Sequence, residues 1–238
     1  MINIDINNEL VLQEPINFNG IIIYQPTVRE IIKYGINEYN NLLLPYLITL
    51  DVFELTEEQK KDLKIFDLII LNQEIFLNLL LSIQVLCRCE SQDINILKNE
   101  EIQYVIKIKD SILNRDNFDE FAKIVLKIHA RERPKEDKLP ENPRHREIEL
   151  KLRSLRAKQK NNNEFQLCDI VNIVKYGGNY YISTEEIKNM TLWELNNAYK
   201  AKLGVSYYED SLSIALVIGD NNNTVNNNHW SKLLKVSK

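Results

Sequence analysis

The sequence predicts an α+β chain, predominantly helical, with a small antiparallel sheet packed against helices in an N-terminal domain and an all-α C-terminal module. Three observations predict it. Period-two apolar alternation is confined to residues 1–24 and 94–108, and that period belongs to half-buried strands. Elsewhere apolar residues recur at helical spacing behind repeated Ser/Thr-x-x-Glu/Gln starts, the sequence form of the capping box. Prolines and charges gather at residues 131–143, the composition of a solvated linker. The predicted boundaries are 1–133 for the α+β domain, 134–163 for a charged linker and helix, and 164–238 for the helical module.

Taken in order, Ile2, Ile4 and Ile6, then Leu10 and Leu12, then Ile16 and Phe18 predict a meander of short strands. Gly20 precedes a continuous apolar strand, Ile21 to Tyr24, closed by Pro26. Thr27 and Glu30 start a helix that ends near Gly35, and a second runs through Tyr39 and Leu44 until Pro45 kinks or ends it. Thr56 and Gln59 repeat the capping pattern ahead of Leu63, Phe66 and Ile70. Ile75 to Leu86 is apolar nearly all round, which predicts a central helix of the core. Ile94 and Ile96, then Ile102, Tyr104, Ile106 and Ile108, alternate around Lys98-Asn99-Glu100. They predict a hairpin that completes a sheet with the N-terminal strands. Phe118, Phe121, Ile124, Val125 and Ile128 form an amphipathic helix with Asn117 and Glu120 as its cap pair.

From Arg144 to Lys160 a thin stripe of Ile148, Leu152 and Leu155 carries the i,i+4 pairs Glu147–Lys151 and Glu149–Arg153. A helix with Leu167, Ile170, Val171 and Val174 on one face is stopped by Gly177-Gly178, and a short helix follows Ser183. In "NMTLWELNNAYKAKLG" (189–204), Thr191 and Glu194 make a capping box and Gly204 serves as a left-handed stop. Leu192, Leu195 and Tyr199 share a face there, and Trp193 lies off it, which asks for a second neighbour inside or outside the fold. A separate helix carries Tyr208, Leu212 and Ala215 towards Gly219, and a last segment holds His229-Trp230 and Leu233-Leu234.

Composition narrows the function classes. The 238 residues carry a net charge of −4, which disfavours a dedicated polyanion binder. Three cysteines and no signal-peptide pattern predict a reduced, cytoplasmic protein. The longest apolar run, Glu74 to Arg88, is broken by Asn78, Ser82 and Gln84 and predicts a buried helix, not a membrane span. Asn, Ile and Lys are favoured, as in an AT-rich genome, and the Asn triplets at 161–163, 221–223 and 226–228 read as loop filler.

No glycine-rich phosphate loop and no G-x-S-x-G elbow is present, and His129, His145 and His229 are never paired at metal-ligand spacing. Cys87-Arg88-Cys89 lacks the second pair that a tetrahedral zinc site requires. Glu57-Glu58 and Glu185-Glu186 sit in first helical turns, where acid complements the helix dipole. Arg144, Arg146, Lys151, Arg153, Arg156, Lys158 and Lys160 would track a nucleic-acid backbone, but no aromatics are interleaved to stack bases. No catalytic residue, metal or cofactor is predicted, and the chain reads as non-enzymatic. The surplus aromatics of the C-terminal module, Trp193, Tyr199, Tyr207, Tyr208 and Trp230, are either a small helical core or anchors for a partner.

"GIIIYQPTVREIIKYGINEYNNLL" (20–43), "NMTLWELNNAYKAKL" (189–203), "LVIGDNNN" (216–223) and "HWSKLL" (229–234) resemble, in the same order, motifs of the tail assembly chaperones of siphophages and Gram-positive prophages. The linker and the Asn-rich loops have no counterpart in that pattern. The resemblance implies a non-enzymatic protein of the bacterial host cytoplasm. Its partners would be the tape measure protein, the tail tube protein and further copies of itself, and it would be absent from the finished particle. The rival readings are a structural adaptor or connector within the particle, and a nucleic-acid-binding regulator that uses the helix at 144–160.

Overall fold

A computed structural model describes residues 6–50, 53, 63–98, 104–134, 148, 166–177 and 181–219. Within them the chain is mainly helical, with one two-stranded and one three-stranded antiparallel sheet. The predicted class, α+β with helices dominant, is what the chain adopts.

The first described element corrects the predicted meander, of which Ile2 and Ile4 lie outside the described residues. Asn7–Leu12 is a helix, α1, not a strand, and it buries Leu10 while Leu12 stays exposed. Gln13 ends it in the left-handed conformation, and the Gln25 amide donates to the carbonyls of Glu9 (2.7 Å) and Glu14 (2.9 Å). Those two bonds hold α1 against the hairpin that follows. The hairpin pairs β1 (Ile16–Phe18) with β2 (Ile21–Ile23), with Phe18 opposite Ile21 and Ile16 opposite Ile23. Asn19 and Gly20, with φ of 52° and 85°, make the two-residue turn. Positive φ at both positions matches the twist of the flanking strands.

Thr27 and Glu30 form the predicted capping box of α2 (Val28–Tyr34), and Gly35 at φ 103° joins it to α3 (Ile36–Leu47). Pro45 lies in the last turn of α3. The Thr56–Gln59 pattern lies outside the described residues. The short α4 (Ile65–Leu71) meets α5 (Gln73–Cys87) at a bend of 107°, where the Asn72 side chain accepts from the Ile75 amide at 3.2 Å. α5 is not apolar-buried all round, as its composition had suggested. Leu79, Ser82, Ile83 and Leu86 face the core, whereas Leu77 and Leu81 are exposed. Among the described residues no single helix is long and apolar enough to cross a membrane.

β3 (Ile94–Lys98), β4 (Tyr104–Ile108) and β5 (Ser111–Leu113) form the second sheet in that order. The expected single sheet is therefore two. The hairpin of β3 and β4 forms as predicted, but β4 takes its second neighbour from β5, the strand right after it. β5 nears the first hairpin at its turn, where a Cβ on Gly20 would lie 2.5 Å from Ser111 Oγ. α6 (Phe118–Ile128) follows. Asn117 does not cap it with its side chain: its amide oxygen accepts from the Asn114 N–H (2.8 Å) and its amide nitrogen donates to the Ile112 carbonyl (2.8 Å). The chain after α6 is also no free linker at its start. Arg131 donates to Asn40 (2.7 Å), and Arg133 donates to the Tyr46 carbonyl (3.0 Å) and pairs with Asp119 (2.7 Å).

The C-terminal helices are α7 (Leu167–Tyr176), α8 (Thr184–Asn189) and α9 (Leu192–Ile218). Ser183 with Glu186, and Thr191 with Glu194, form the capping boxes of α8 and α9. Gly204 does not end α9; the two predicted helices are one, which stops at Gly219. A glycine inside a helix costs only about 1 kcal/mol relative to alanine, and the residues beyond it keep the helical period. Several contacts fasten this region to α1 and α2. The Val28 N–H donates to the Met190 carbonyl at 2.8 Å, Thr27 and Thr191 form an isolated antiparallel bridge, and Gln13 donates to Glu194 at 2.6 Å. Apart from Ile148, the predicted helix at 144–160 lies outside the described residues.

Candidate functional site

The site is built on α9. Leu192, Leu195 and Tyr199 turn one face of its first half towards α7, where Leu195 is buried with Val174, Ile187 and the Val28 side chain of α2. Trp193 is one residue's rotation away, about 100° around the axis, and meets a different neighbour. It packs half-buried against the large N-terminal core, and with Asn197 and Lys200 it faces the end of α6. Its second neighbour is thus inside the fold.

Trp193, Lys200, Tyr207 and Ile214 recur every seven residues along α9. A seven-residue interval keeps one line of side chains directed at a neighbouring helix. Small residues, Gly204 and Ser211, follow Lys200 and Tyr207 at the next turn. This line has two ends of different chemistry. At its start it borders a cleft of about 510 Å³ between α6 and α9. Lys123 and Lys127 of α6, Arg131 and Arg133 beyond it, and Lys200 of α9 line that cleft, with Glu132 as its one acidic side chain. Lys123 and Lys200 are exposed. At the far end the line runs out over apolar surface: Tyr207 is 62% exposed, Ile214 58%, Leu216 85% and Val217 83%.

A second cleft, of about 560 Å³, opens between α3, α7 and α9 and is lined by the amides Asn37, Asn40, Gln166 and Asn196. His129 stands in its wall but is not a free base. Its Nδ1 lies 2.6 Å from the Val125 carbonyl and its Nε2 2.7 Å from the Tyr39 hydroxyl. A carbonyl only accepts, so Nδ1 carries the proton and Nε2 accepts from Tyr39. Burial pushes the His129 pKa down to about 4 and raises that of Tyr39, so the pair stays neutral. Cys87 and Cys89 are buried, and burial lifts the Cys87 thiol to about 12, which keeps it protonated and unreactive. Among the described residues no three His, Cys, Asp or Glu side chains converge as metal ligands.

The predicted partner-facing aromatics do not form one patch. Tyr207 is exposed, Tyr208 and Tyr199 are half-buried, and Tyr199 packs on the cluster around Leu195. Trp193 lines the basic cleft, and Trp230 lies outside the described residues. Sequence reasoning missed Lys123, Lys127 and Lys200, and the apolar outer turns at Ile214, Leu216 and Val217. The seven-residue recurrence was present to be found, but the expected break at Gly204 divided it.

No protein-family model matches the chain, and no curated protein and no solved structure is similar to it.

Proposed function

We propose that this chain is a phage tail assembly chaperone that binds the tape measure protein while the tail tube polymerises, without catalysing a reaction. The observation that carries the reading is the outer half of α9. It is an ordered helix that leaves Tyr207, Ile214, Leu216 and Val217 exposed. Tyr207, Ile214 and Val217 fall within about 80° of one another around the axis, at 100° per residue, and an exposed apolar helical face of this kind is what recognition of an amphipathic client helix employs. The motif order that resembles the tail assembly chaperones supplies the client: a long helical protein that aggregates unless its apolar stripes are covered. The tail tube protein and a second copy of the chain complete the set of partners.

The test is to look beside the chain's own gene for one that encodes a very long, heptad-rich protein, and to co-express the two. The expected result is a soluble complex that co-elutes on size exclusion, with several copies of the chain per client, and no trace of the chain in purified particles. A stoichiometric band in the finished particle would overturn the chaperone reading in favour of a built-in adaptor.

A further inference from the structure

The basic cleft and the seven-residue line of α9 are continuous, and together they specify more than an apolar docking face. We propose that they form a receptor for one amphipathic helix that is acidic at one end and aliphatic along the rest. The inference deepens the chaperone reading by naming the chemistry of the client segment.

Charge complementarity selects the occupant. Five cations, Lys123, Lys127, Arg131, Arg133 and Lys200, surround a cleft that holds one carboxylate, Glu132, in a chain whose net charge is −4. Arg133 is offset by Asp119, and Arg131 and Lys127 donate to Asn40 and Asn7. Lys123 and Lys200 are the exposed members, placed on two helices that face each other across the cleft. A carboxylate pair on an entering helix meets both. From Lys200 the line continues through Tyr207 to Ile214, a distance of about 21 Å at 1.5 Å per residue. The occupant is therefore a helix of about 15 to 20 residues with aliphatic residues at heptad spacing. Nucleic acid fits less well. Trp193 is the one aromatic of the cleft, whereas single-strand binders stack successive bases on several.

Trp193 is also the reporter. The chain holds two tryptophans, so the full-length Trp230→Phe protein emits from Trp193 alone. It is titrated with a synthetic amphipathic peptide bearing Glu in its first two turns and Leu at heptad positions. The controls are the same peptide with Lys for Glu, the same peptide with Ser for Leu, and a thymidine 20-mer. The acidic peptide is expected to shift Trp193 emission and to bind at least tenfold more tightly than either control peptide. Lys123→Glu with Lys200→Glu is expected to weaken it at least tenfold, and so, independently, is Tyr207→Ser with Ile214→Ser. All four positions are exposed, and circular dichroism confirms that the variants fold.

Equal affinity for the Glu and Lys peptides, indifference to the lysine reversals, or tighter binding of the 20-mer would each overturn the proposal. The two readings fail separately. A soluble complex with the tape measure protein in the absence of acidic-peptide binding removes the receptor and keeps the chaperone. Peptide binding without that complex keeps the receptor and assigns it another helical client.

Discussion

Around Phe118 and Phe121, rings from four elements meet: Phe66 lies 5.3 Å from Phe118, and Phe18 and Tyr46 lie 5.9 Å and 6.0 Å from Phe121. Around Leu195 the buried set is Val174, Ile187 and Val28, and Val28 belongs to α2. The first cluster closes on itself, since β1, α3, α4 and α6 each contribute a ring that fills space between the others. The second cluster lacks one wall without α2. The C-terminal helices are thus held by the N-terminal core, through a small apolar contact and a bridge between Thr27 and Thr191. Stability is distributed unevenly, as expected where local units differ in buried contacts.

That asymmetry can be broken from either side. Phe121→Ala should cost about 3–5 kcal/mol and unfold the whole chain in one transition, read as a drop in the urea midpoint by both circular dichroism and tryptophan fluorescence. Leu195→Ala should cost about 2–4 kcal/mol but act unequally. Hydrogen exchange should rise in α7–α9 while α5 and α6 keep their protection. Equal loss of protection in both regions would show that the two clusters unfold as one.

Mild acid probes the larger core through His129. His129 is neutral when folded, with a pKa of about 4 against 6.5 for the free side chain. Between these values the unfolded chain binds the extra proton, so the contribution is complete above about pH 6.5 and is lost as pH falls towards 4. Stability should drop by roughly 2 kcal/mol from pH 7 to pH 5, and His129→Leu should flatten that part of the profile.

Smaller changes sharpen the seam between the regions. Thr191→Ala removes the hydroxyl that accepts from the Glu194 N–H at 3.2 Å and should cost about 1 kcal/mol, read as a modest fall in thermal midpoint with α9 loosened first. Arg29→Ala breaks the pair with Glu185, both of which are exposed. It should change the midpoint by less than about 1 kcal/mol and lose even that effect in high salt.

What the sequence made legible was local. The capping boxes at Thr27 and Thr191 are each complete within four residues, and both formed, as did the short helix after Ser183. The β3–β4 hairpin and the apolar face of α6 were read on the same grounds. The errors were decided elsewhere in the chain. Leu10 and Leu12 fit a strand by spacing, but the Gln25 amide and a single buried leucine make α1 a helix. Gly204 has the identity of a stop, yet nothing after it asks the chain to turn. Asn117 was given to a helix cap, and the turn after β5 claimed its amide first. Of the candidate site, Trp193 was singled out because it lies off the apolar stripe, and the neighbour it meets is the N-terminal core. The basic cleft was illegible because its cations come from positions 123 to 133 and 200, brought together only by the docking of α9.

The unbroken length of α9 has a mechanical consequence. Its 27 residues span about 40 Å at 1.5 Å per residue, and the contacts at Thr191, Trp193, Leu195, Tyr199 and Lys202 lie in its first half, with its start as the pivot. Each degree of tilt at that pivot moves the Ile218 end by about 0.7 Å, from the same rise per residue. A tilt of about three degrees there would carry the tip about 2 Å, and whatever grips the tip would gain equal leverage on the pivot.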